Sequence, residues 1–167
     1  MQDVSDRNFG TIIAYVIPGS ICLLGISAYS EVVRAWLGAT PSQPPTVAGM
    51  LYVTIAALAL GLLASTVRWI VIDTVHAATG LPQPNWDYTR LAGRVDAYAL
   101  LGQHHYRYYQ FYGNTLVAIT IMVGMLNSWP TNYIQLAWVN LVLAPIGIIL
   151  FAGSRDALRK YHVRVAM

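Results

Sequence analysis

Four stretches of the chain, 9–29, 47–67, 108–128 and 133–153, contain no Asp, Glu, Lys or Arg. Each is close to the ~20 residues that a helix needs to cross a ~30 Å hydrocarbon core. The pattern predicts an all-α protein, an integral membrane four-helix bundle in which residues 1–167 form one domain. Between the first two stretches, Pro41, Pro44 and Pro45 exclude regular structure and predict a loop. The helical pattern of the second stretch runs past residue 67 to Gly80, a residue suited to ending a helix at C′. Asp87 is then positioned to cap a further amphipathic helix, with Leu91, Val95, Tyr98 and Leu101 on its apolar side. The connector 68–107 is thus expected to be a helical extension outside the bilayer. The short link after residue 128 makes the last two stretches an antiparallel hairpin, and Asp156 with Lys160, four residues apart, supports a helical extension of the last one.

Two local patterns bear on packing. Pro18 in the first stretch removes a backbone hydrogen bond, so the kink should face protein, with Ser20 as a local partner for the freed carbonyl. Ala57, Gly61 and Ser65 recur every four residues and predict a face on which another helix, from this chain or from a second copy, packs closely.

Charge orients the bundle. Arg7, Arg68, Arg90, Arg94, Arg107, Arg155, Arg159, Lys160 and Arg164 all flank one side of the four stretches, and only Arg34 falls on the other. By the positive-inside rule both termini are expected in the cytoplasm, with the protein in a bacterial inner membrane. Apolar residues make up 56% and charged residues 10% of the chain, outside the composition of soluble domains. The net charge of +3 is therefore assigned to headgroup attraction rather than to nucleic acid. Cys22 is the single cysteine, which excludes an internal disulfide. Asp3 and Asp6 precede the first stretch in place of a basic n-region, so it is expected to remain in the mature protein.

The candidate chemistry is gathered near the basic side. Arg107, Gln110 and Asn114 lie within about 60° on a helical wheel and form a stripe descending about 10 Å. The stripe is either interhelical glue or the lining of a vestibule, and with Arg68 and Tyr109 it supplies the pore or ligand-binding candidates. The tyrosines 106, 108, 109 and 112 point all round the helix, so some pack inward toward Arg68, Asp73 and His76. Asp73, His76 and His104 carry ligand types suited to zinc or iron, but their spacing is not that of an established metal motif. The sequence contains neither G-x-S-x-G nor H-E-x-x-H and names no cofactor.

The segments beginning Arg68-Trp69, with Asp73, His76 and Gly80, and Arg107-Tyr108-Tyr109-Gln110, with Gly113 and Asn114, resemble segments of small prokaryotic four-span membrane proteins of unassigned function. In size and layout the chain is similar to small multi-span components of bacterial anti-phage defence systems. With almost no mass outside the four stretches, one copy encloses too little volume for a spacious substrate cavity whereas a ring of copies can build one, so the chain is read as a non-enzymatic membrane effector, with an ion channel as its sharper form. The sequence reading is accordingly a homo-oligomer in the lipid bilayer, or a subunit among other membrane proteins, with a membrane-interface enzyme or lipid-binding protein as the alternative.

Overall fold

The computed structural model describes residues 10, 12–38, 46–81, 105–128 and 133–165. Five helices account for nearly all of them: α1 (Ile12–Ser27), α2 (Glu31–Trp36), α3 (Val47–Ala78), α4 (Arg107–Ser128) and α5 (Tyr133–Val165). The described residues include no strand. Three helices, α3, α4 and α5, are long and apolar enough to cross a membrane, whereas α1 is apolar but shorter than these three. The loop expected at 39–45, the capped helix after Asp87 with Arg90 and Arg94, and the N-terminal tail lie outside the described residues.

The helix ends follow from their residues. α1 opens with a π-helical turn, Ile12–Val16, and is α-helical from Ile17, with Pro18 in its first turn. Pro18 is buried among protein atoms, and Ser20 Oγ donates to Val16 O at 2.8 Å. After α1 the chain turns, and Ser30 caps α2 by accepting from Val33 N. Arg34 reaches back to Ser27 O and Ala28 O at 3.2 and 3.3 Å, a cation on the carbonyl end of α1. Thr46 Oγ1 caps α3 through Gly49 N at 3.0 Å. At its far end Gly80 adopts φ +95°, while Gly80 N donates to Ala77 O and Leu81 N to His76 O. These are the two bonds of a Schellman motif, and they end α3 at the glycine.

Contacts fix how the helices run. Gly19 meets Ala57 and Gly61 meets Tyr15, so α3 lies antiparallel to α1. Gly25 meets Met122, and Tyr29 Oη donates to Met125 O at 2.6 Å, so α4 runs parallel to α1. α5 returns antiparallel along α4, from the hydrogen bond that Asn140 Nδ2 donates to Asn127 Oδ1 through Gly147 against Leu116 to Gly153 against Tyr112. One end of the bundle therefore collects residues 68–81, 105–112 and 154–165, and the other collects 28–37, 46–50, 127–128 and 133–140. Among the described residues, every Lys and Arg except Arg34 belongs to the first end. α3 and α5, at 32 and 33 residues, span about 48–50 Å at 1.5 Å per residue, more than a ~30 Å core needs. Their surplus length is the helical extension at the basic end.

The small-residue face of α3 packs within the chain. Ala57 is buried at 1% exposure and Gly61 is buried against the Tyr15 backbone, both under α1. The core at this crossing is Leu23, Val33 and Ala57. Outward-facing positions are apolar instead of polar: Leu51, Ile55, Leu63 and Ile70 on α3 and Leu141, Ile148 and Ile149 on α5 are exposed.

Candidate functional site

Polar side chains enter the bundle at its basic end and nearly all engage one another. Arg68 leaves α3 toward α4 where Gly113 has no side chain; a Cβ at 113 would lie 2.6 Å from Arg68 Cδ. The guanidinium is 3% exposed, donates from Nη1 to Asp73 Oδ1 at 3.1 Å, and stands 4.6 Å above the Tyr109 ring. Tyr109 Oη donates to the same carboxylate oxygen. Removing this cation from water is costly, and the carboxylate together with the ring face offsets that cost. Arg68 Nε has no partner among the described residues.

A second buried contact fastens α5 to the end of α3. His76 is fully buried, its Nε2 lies 3.2 Å from Ser154 Oγ, and its ring is 5.0 Å from that of Phe151. One turn further, Arg155 donates to Thr79 Oγ1 and Thr79 O at 2.5 and 2.7 Å. Tyr106, Tyr109 and Tyr161 form the aromatic floor of this region, with the Tyr106 ring 5.7 and 5.3 Å from the other two. On the terminal extension of α5, burial lowers the pKa of the His162 imidazole, and the Asp73 carboxylate opposes that shift.

The predicted stripe divides along its length. Asn114, fully buried, donates to Ala14 O at 2.7 Å. Gln110 is half-buried and donates to Tyr15 Oη at 3.1 Å. Arg107 lies against Gly10, where an added Cβ would collide with its guanidinium. Within one copy, then, Asn114 joins α4 to α1 and does not face an open channel, while Gln110 borders a groove. That groove, about 390 Å³, is lined by Tyr15, Ser65, Arg68, Trp69, Tyr106 and Gln110, with Leu62 and Thr66 beside them on α3.

Asp73 and His76 share a face of α3 as their spacing predicts, but they serve different partners: Asp73 binds Arg68 and Tyr109, and His76 binds Ser154. His104 lies outside the described residues, and the neighbouring His105 pairs with Arg164. Among the described residues, no three His, Cys, Asp or Glu side chains are grouped to hold a metal ion. Ser154, Gly113 and Tyr15 are the site residues that sequence reasoning missed. Ser154 and Gly113 are small residues on helix faces whose partner cannot be read from one sequence, and Tyr15 is one aromatic among many apolar neighbours. No protein-family model matches the chain, nor does any curated protein or solved structure.

Proposed function

We propose that this protein is a non-enzymatic integral membrane component that works by assembling with copies of itself, with the basic end of the bundle and both termini in the cytoplasm. The observation that carries this reading is the state of α5. Among the described residues it packs along α4 through Asn140, Gly147 and Gly153 and touches α3 at the basic end, through Phe151, Ser154 and Arg155. The rest of its crossing segment is bare, with Trp138, Leu141, Ile148 and Ile149 each between 64% and 71% exposed. An apolar face of this kind needs lipid or another helix against it. Association would use the small and apolar surfaces that membrane helices pack by.

A pore is the sharper form of this proposal. Asn114, His76 and Arg68 are engaged inside one copy. An aqueous path would therefore run between copies, with Gln110 and Arg107 at its cytosolic mouth. A membrane-interface enzyme has less support, because Asp73 and His76 are both held by structural partners.

Native mass spectrometry of the full chain released from nanodiscs tests the assembly. More than one copy per disc is expected at low protein-to-lipid ratio, with fewer after Ile148→Asn; a single copy under every condition would overturn it. Planar-bilayer recording tests the pore form separately, since an assembled protein that conducts at neither voltage sign is not a pore.

A further inference from the structure

The groove beside Arg68 has features that the packing of the bundle does not use. Of the guanidinium donors, Nη1 is held by Asp73, whereas Nε is buried with no hydrogen-bond partner among the described residues. Nε and Nη2 form one edge of the planar fork, the edge that matches two oxygens of a phosphate or carboxylate. Arg68 is 3% exposed, so the guanidinium is held in a fixed direction with little water to satisfy Nε. A buried cation donor left in that state costs free energy unless something accepts from it.

The other walls supply further donors. Tyr15 Oη accepts from Gln110 Nε2, which leaves its own proton free to donate. Ser65, on the same face of α3 as Arg68, lines the groove and brings a hydroxyl to it. Trp69, 62% exposed, stands beside the groove, where an indole N–H and ring suit the headgroup zone. We propose that this groove binds the phosphate of an anionic lipid from the leaflet at the basic end, gripped by the Nε and Nη2 edge of Arg68 and the hydroxyls of Tyr15 and Ser65.

Three observations favour a lipid as the source of the phosphate. Arg68 follows directly on the uncharged stretch 47–67, which sets it at headgroup depth. Leu62 at the edge of the groove is followed on the same face of α3 by the exposed Leu58 and Ile55, which offer a bed for an acyl chain. At about 390 Å³ it falls in the range of small-ligand sites, ~300–1,000 Å³, rather than that of a lone ion. Charge agrees: among the described residues the basic end carries six Lys and Arg against two carboxylates, Asp73 and Asp156. The inference rests on the membrane placement proposed above and is independent of assembly.

The test uses the full chain in phosphatidylcholine nanodiscs, with bound lipid read by native mass spectrometry after exchange with phosphatidylglycerol. Wild type is expected to retain phosphatidylglycerol in preference to phosphatidylcholine. Ser65→Leu fills the groove and Tyr15→Phe removes one donor, and each is expected to weaken that preference roughly tenfold, the order of one lost hydrogen bond to a charged group. Neither touches the Arg68–Asp73 pair, so both are expected to fold. Arg159→Gln and Lys160→Gln remove surface charge away from the groove and should leave the preference unchanged.

Equal retention of the two lipids, or a preference lost in the two surface-charge variants and kept in Ser65→Leu, overturns the proposal. Inorganic phosphate supplied alone provides the last arm. Competition by it at equal concentration would make the site a receptor for a free anion and overturn the lipid source. Stable incorporation into phosphatidylcholine discs shows separately that the membrane placement stands, whatever the lipid preference.

Discussion

Pro18 has no N–H to return to the carbonyl of Ala14, and Asn114 donates to that oxygen from a different helix. The two residues therefore form one unit: a proline that frees an acceptor and an amide that satisfies it. A buried carbonyl left without a partner costs about 1–3 kcal/mol. Interhelical bonds in membrane proteins measure nearer ~0.6 kcal/mol, with a maximum of about 1.7. Asn114→Ala is thus expected to lower stability by about 1 kcal/mol in denaturant unfolding in detergent. Pro18→Ala restores an N–H at position 18, so in that background the Asn114→Ala penalty should fall by at least half. An equal penalty in both backgrounds would mean that the amide acts through packing and not through the freed carbonyl. Half of this unit was readable in advance. The proline announced a kink that must face protein, and Pro18 is buried. The donor was not readable, because Ser20, the local choice, bonds Val16 O and the actual partner lies a hundred residues away.

At the scale of elements, glycines set how near the helices come. A Cβ at Gly61 would lie 2.0 Å from Tyr15 O and 2.6 Å from Tyr15 C, while one at Gly19 would lie 1.7 Å from Ala57 O. These neighbours are backbone, so neither helix can accommodate the added carbon by a rotamer change. Gly61→Ala must separate α1 from α3 and is expected to cost at least about 1–3 kcal/mol, the usual range for overpacking. Gly124 has nothing within 4 Å of the corresponding position, and Gly124→Ala should be neutral or stabilising by up to ~1 kcal/mol. Thermal unfolding of the two variants in the same detergent checks the contrast, and equal melting temperatures would count against the α1–α3 crossing. The every-fourth-residue spacing of Ala57, Gly61 and Ser65 made that face legible, as Gly80 made the end of α3 and the Asp156–Lys160 pair the extension of α5. Spacing does not say which helix arrives at a small-residue face, so α1 as the partner of Ala57 and Gly61 appears only in three dimensions. The π turn at Ile12–Val16 was hidden for a similar reason, since a run of apolar residues reads alike at either helical pitch.

For the whole molecule, the separation of charge between the two ends is the feature with most consequence. Arg34, the one described cation at the other end, is occupied with the carbonyls of Ser27 and Ala28. It therefore counts for less as a topological signal than its sequence position implies. The basic end keeps exposed groups such as Lys160, 55% exposed and paired only with Asp156. If cations decide orientation, this end is retained in the cytoplasm. Impermeant thiol labelling of intact cells and inverted vesicles tests it in a background where the buried Cys22 is replaced by Ala. Cysteines at the exposed positions Ala78 and Lys160 should react only from the cytoplasmic side, and those at the exposed positions Glu31 and Ser128 only from the opposite side. The outcome separates two arguments. Reaction of Ala78→Cys and Lys160→Cys from different sides would break the parallel arrangement of α3 and α5, because the His76–Ser154 and Thr79–Arg155 contacts require both to lie at one end. Reaction of both from outside would leave the bundle intact and reverse it in the bilayer, which would show that the charge rule, and not the helix packing, had been misjudged.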